Sequence, residues 1–130
     1  MTKTDALSQE FDEAVHRLDE VLQNEKSDIV RDAAIKRFEL AFDLAWKAIK
    51  ARLEEEGVSC ASPLVCFKEA YRTGMLAFEE IWVEMVHTRN KTVHTYDLEL
   101  AEQVYAALPD MLAAFKKLSA ALLDAGHGYD

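Results

Sequence analysis

Glycine and proline punctuate this chain so rarely that long helices are the main way left to arrange it. Four glycines and two prolines are spread over 130 residues. The chain has no Asn-Gly or Asp-Gly hairpin signal and no alternating β-branched run. Apolar residues recur instead every three or four positions, the period of a helix face. The widest pattern falls between Asp28 and Glu56, where Phe38, Phe42, Ala45, Ile49 and Leu53 make one stripe and Leu40, Leu44 and Trp46 extend it. A helix apolar over so much of its surface touches several neighbours. The expected fold is all-α: an up-down bundle of four long helices and one short helix, with this helix at its centre.

Local signals set the remaining boundaries. A first helix is expected over Asp5–Gln23, on Phe11, Val15, Leu18 and Leu22, widened by Leu7 and Val21, with Glu10, Asp12, Glu13, Arg17 and Glu20 on the other face. Ser27 or Asp28 caps the central helix and Gly57 stops it. Asp43 and Lys47 lie four apart, in the favourable order for a helix ion pair. Ser62-Pro63 is a hydroxyl cap followed by proline at the first helical position, so a short helix starts there and ends at Gly74. Met75 to Phe78 leads into a fourth helix, which buries Ile81, Trp82, Met85 and Val86 and carries His87, Arg89, Asn90, Lys91 and His94. Asp97 caps the last helix, where Pro109 should kink or restart the pattern. Residues 1–125 are expected to form one domain, and residues 126–130 a flexible tail.

The formal net charge of −9 argues against a protein that coats nucleic acid, because phosphate binding needs a basic footprint. It leaves room for a small basic pocket, or for a partner that supplies the charge; no DNA partner is expected. The polar opening Met1-Thr2-Lys3-Thr4-Asp5 does not have the form of a secretory signal, and no stretch is apolar enough to span a bilayer. Cys60 and Cys66 are too far apart for a Cys-x-x-Cys motif. Both read as reduced thiols in a cytoplasmic protein. No cofactor is implied.

The chemistry-bearing stretch is Arg89-Asn90-Lys91-Thr92-Val93-His94-Thr95-Tyr96. On a regular helix Arg89 and His94 stand ~140° apart, whereas His87, Asn90 and His94 share one polar stripe. A break at the helix end, or a neighbouring copy in a symmetric dimer, could bring Arg89 to the same pocket. Histidine moves protons near neutral pH, and arginine grips phosphate with two hydrogen bonds. The set suits metal-independent RNA cleavage: histidine as base toward a ribose 2′-hydroxyl or acid toward the leaving oxygen, arginine stabilising charge on the phosphate. One histidine does not easily serve both steps, but two copies across a dimer axis could. Spacing alone favours a plainer reading, in which Arg89 and His94 are cations that offset the dipole at a helix C-terminus.

Three segments resemble the HEPN superfamily, and within it the nucleotidyltransferase substrate-binding protein family. They are Arg37 to Lys47, Ser62-Pro63 through Gly74, and Trp82 to Asp97, in a similarity spanning roughly residues 5–123. The resemblance implies a helical bundle that usually dimerises and is commonly encoded beside a minimal nucleotidyltransferase, which it can bind. In the toxin–antitoxin version it implies an RNase with Arg89 and His94 as the catalytic pair and Asn90 and His87 supporting the pocket. Tyr96 matches the tyrosine that the partner adenylylates, silencing the toxin. In other relatives the same pocket holds a ligand and performs no chemistry.

Two further readings stand beside these. Glu13-x-x-His16 and Glu84-x-x-His87, with Glu39 or Glu102, could be nominated for a di-iron bundle. A helical dimer that only docks a partner is the other, and the acidic composition suits it.

Overall fold

The computed structural model describes the backbone of residues 1–127 and the side chains of residues 1–124. Within them the chain forms α1 (Lys3–Leu22), α2 (Asp28–Glu55), α3 (Pro63–Arg72), α4 (Glu80–Lys91), a 3-10 turn (Thr92–His94) and α5 (Leu98–His127). Helices α1, α2 and α5 are 20, 28 and 30 residues long, while α3 and α4 have 10 and 12. The long helices pack on one another, and α3 and α4 close the remaining side of α2 and α5.

The expected starts and stops are met by specific bonds. Helix α1 begins earlier than the apolar pattern suggests because Thr2 and Asp5 make a reciprocal capping box, each side chain bonded to the other's backbone N–H at 3.1 Å. Ser27 rather than Asp28 caps α2, and Ser62 caps α3. After α2, Val58 N–H donates to the Leu53 carbonyl and Gly57 N–H to Glu54; after α3, Met75 donates to Ala70 and Gly74 to Tyr71. This double bond pattern needs a left-handed residue, and Gly57 and Gly74 supply it with φ of 81° and 84°. The Asp97 carboxylate accepts from the N–H groups of Glu99 and Leu100 at the start of α5.

Three expectations are corrected. Helix α5 runs through Pro109 without restarting. The proline is exposed, and Leu108, Met111 and Leu112 on either side are buried, so packing offsets the lost hydrogen bond. The expected tail begins inside this helix, which reaches His127; residues 128–130 lie outside the described part. Cys60 and Cys66 are not free thiols but a disulfide, with Cα atoms 5.1 Å apart. The intervening Ala61-Ser62-Pro63 turns the chain into α3, so that Cys60 comes back over the first turn of the helix, where Cys66 lies buried.

The core is one cluster organised around aromatic rings. Phe38, Phe42, Phe67, Trp82 and Phe115 form a closed circuit of ring contacts, with centroid separations from 4.9 to 6.2 Å. Phe11 joins it edge-on through Phe115 at 5.7 Å. All five helices contribute a ring, so the circuit fixes how α4 sits on the bundle. Polar ties lie outside it. Buried Arg31 on α2 bonds Glu102 on α5 at 2.9 Å and also pairs with Asp28 and Asp32. Lys26 bonds the same Glu102. These two cations, Lys26 first, hold the Glu102 carboxyl below its ordinary range.

Candidate functional site

The chemistry-bearing stretch occupies the end of α4 and the turn into α5. Helix α4 stops at Lys91, where two threonine hydroxyls engage the backbone carbonyls of the helix end. Buried Thr92 donates its hydroxyl to the Arg89 carbonyl at 2.7 Å, and Thr95 donates to the Thr92 carbonyl at 3.1 Å. The backbone tightens into the 3-10 turn, and Asp97 N–H closes it on the His94 carbonyl at 3.0 Å. His94 thus lies in the 3-10 turn, beyond the last residue of the helix that carries His87 and Asn90. All three side chains are exposed.

His94 instead meets Tyr96. Their rings stand edge to face with centroids 6.0 Å apart, and the tyrosine hydroxyl lies 3.5 Å from His94 Nδ1, the long limit of a hydrogen bond. Tyr96 is 82% exposed, and the neighbouring Val93 and Leu98 are also largely exposed. An imidazole and a phenol are thus presented together on a turn with an apolar rim.

Arg89 turns the other way, onto α2. Its Nε lies 3.8 Å from Asp43 Oδ1, and its Nη1 4.0 Å from Glu39 Oε2. The side chain is 28% exposed, yet Nε itself is shielded from solvent and has no hydrogen-bond partner. Asp43, expected to pair with Lys47 along α2, faces Arg89 instead. Sequence reading therefore missed the acidic half of this site. The available signal was the four-residue spacing of Glu39 and Asp43, which places both on one face of α2.

The residues nominated for a di-iron centre do not gather. Glu13, His16, Glu84 and His87 are exposed, Glu39 faces Arg89, and Glu102 is engaged by Lys26 and Arg31. Among the described residues no group of three or more His, Cys, Asp or Glu side chains is placed to hold a metal ion. No helix among them is long and apolar enough to cross a membrane. A groove of roughly 550 Å³ lies between the α3–α4 connection and α5, lined by Met75, Phe78, Ile81, Ala114, Lys117 and Leu118 among others. None of the candidate residues lines it.

Comparison with known proteins matches this architecture to a family. The chain resembles a solved structure from Thermus thermophilus at 37% identity, with a TM-score of 0.81, covering 86% of this chain and 98% of that one. A second solved structure, from Haemophilus influenzae and described as revealing the fold of a substrate binding domain of a nucleotidyltransferase, has 26% identity and a TM-score of 0.69, covering 92% and 96%. A Haemophilus influenzae protein named "Probable ribonuclease HepT" is 33% identical over 84 residues, 61% of this chain. The match spans 58% of that relative's length. Residues 7–124 match the family described as nucleotidyltransferase substrate binding protein like, and the chain belongs to that family.

Proposed function

We propose that this protein is a metal-independent endoribonuclease of the HEPN type, acting as a homodimer and silenced by a minimal nucleotidyltransferase that adenylylates Tyr96. The observation that carries the proposal is the exposed His94–Tyr96 pair one turn beyond Arg89. The similarity to a relative named as a ribonuclease supports it. So does the apolar rim of Val93 and Leu98, which suits a second copy or a partner seated over the turn.

The chemistry follows from the residue types. To act as base through Nε2, His94 must carry its proton on Nδ1, and the Tyr96 oxygen is the acceptor within reach of that proton. His94 then takes the proton from a ribose 2′-hydroxyl as the 2′-oxygen attacks the adjacent phosphorus. The bond to the 5′-oxygen breaks, leaving a 2′,3′-cyclic phosphate. A protonated His94 from the second copy gives the departing oxygen its proton. Arg89 offsets the added charge on the phosphate. Adenylylation of Tyr96 sets a phosphate against His94, in the position meant for RNA. Asn90 and His87, exposed near the same end of α4, add polar support to the pocket.

The second reading is a non-catalytic subunit that holds a nucleotide for its nucleotidyltransferase. It is favoured by the family's description, and by the two carboxylates beside Arg89, which weaken its pull on RNA phosphate. The deciding experiment is cleavage of a cellular RNA pool in chelator by wild type, His94→Ala and Tyr96→Phe. Cleavage by wild type is expected, kept but slower in Tyr96→Phe, which lacks the acceptor for His94 Nδ1–H, and lowered by about 10²–10⁴ in His94→Ala. With the partner and ATP, only the chains that keep Tyr96 should gain mass. Equal cleavage by His94→Ala refutes the assignment, and a folded but inactive wild type moves the function to the second reading.

A further inference from the structure

We propose that Glu39 and Asp43 are positioning residues that aim the Arg89 guanidinium, holding it from the α2 side and leaving its outer edge for a phosphate. This deepens the reading of Arg89 as the phosphate-binding arginine and rests on it.

Three observations converge on this role. First, Glu39 and Asp43 stand one helical turn apart on α2, and both carboxylates approach one guanidinium at different atoms, Glu39 at Nη1 and Asp43 at Nε. Two contacts at separate atoms restrain the orientation of a planar group, where one would leave it free to swing. Second, Arg89 Nε is buried and unbonded. Buried donors are nearly always satisfied, and the Asp43 carboxylate is the acidic group that faces this one. Third, at 3.8 and 4.0 Å the pairs attract without forming direct hydrogen bonds. The guanidinium is oriented but its donors are not consumed, and 28% of the side chain still faces solvent.

The carboxylates have two opposed consequences. They order Arg89 before RNA arrives, which raises the rate of the bound complex. They also place negative charge beside the phosphate position, which weakens binding. Neutralising either one should therefore split the kinetic constants: kcat falls while KM stays level or drops. A residue that merely stabilises the fold would not produce that split.

The test uses the full chain with Glu39→Gln and Asp43→Asn, near-isosteric changes at partly exposed positions. Each should lower kcat on RNA by about 10-fold, and the double variant by about 10²-fold, without raising KM. Asp43→Glu should recover part of the loss. A second readout does not depend on cleavage. The Arg89 Nε–H resonance, assigned in ¹⁵N-labelled protein by its disappearance in Arg89→Lys, should exchange slowly with solvent in wild type and quickly in Asp43→Asn. Unchanged exchange in both carboxylate variants, or a kcat that rises, overturns the positioning role. If wild-type protein cleaves no RNA, the nuclease reading fails, and the exchange measurement alone decides whether the carboxylates hold Arg89.

Discussion

Replacing Phe115 with alanine should remove a large share of this protein's stability, because the ring is the junction of the aromatic circuit. It is 0% exposed and meets Phe11, Phe38 and Trp82 with centroids 5.7, 6.0 and 5.7 Å away. Removing a fully buried phenylalanine loses its transfer free energy and leaves a cavity, together about 3–5 kcal/mol. Ring partners drawn from α1, α2 and α4 leave little room for collapse, which puts the value at the upper end. Domains of this kind have about 5–15 kcal/mol in total, so the variant should stay folded but unfold about 10–20 °C lower. Urea unfolding should show a lower midpoint with an unchanged slope. There are two tryptophans, so the reporter is built in a Trp46→Phe background that leaves Trp82 alone. Its emission should shift to the red as water enters the circuit. Phe78→Ala is the control. That ring is 65% exposed with Lys117 Nζ 5.7 Å from its centroid, and its loss should cost less than about 1 kcal/mol. A Phe115→Ala loss below about 1.5 kcal/mol, or no spectral shift, would refute the account of the circuit as the element that seats α4.

Further predictions concern the covalent and ionic ties. Reducing the Cys60–Cys66 bond, or making Cys60→Ser, should lower stability by about 2 kcal/mol, the loop-closure value for so short a loop, and thiol titration of the wild type should detect two reactive groups only after reduction. A reduced protein as stable as the oxidised one would remove that contribution. Lys26 and Arg31 depress the Glu102 carboxyl below 4.5, its ordinary value. The resulting stability is complete above that value and fades as pH falls through the lower folded value. Glu102→Gln should therefore flatten that part of the acid limb seen by thermal unfolding, modestly, because the side chain is 42% exposed. A wild-type acid limb unchanged by Glu102→Gln would show that the tie carries no pH-dependent stability.

Much of the architecture was legible in the residues. The apolar periods of α1 and α2, the Ser62-Pro63 start and the glycine stops at Gly57 and Gly74 are local devices, each satisfied within a few residues of chain, so the code and the outcome lie together. The Arg-x4-His-x-Tyr order also marked where the candidate site lies. What local pattern could not decide was which neighbour each group would meet. Periodicity offered Asp43 a partner in Lys47 along its own helix, but packing of α4 on α2 brought Arg89 Nε to 3.8 Å from its carboxylate. Pro109 was expected to kink or restart α5, and the helix continues through it between buried neighbours rather than restarting. Spacing and chain size read Cys60 and Cys66 as reduced thiols, and the disulfide overturned that reading, since a bond between them depends on how the chain turns into α3. Composition, period and caps thus determined the helices, and the motif placed the candidate residues at the end of α4. Only the tertiary structure decided that His94 faces Tyr96 and Arg89 faces two carboxylates. The first contact depends on how tightly the turn winds, and the second joins segments whose separation in sequence carries no record of their distance in space.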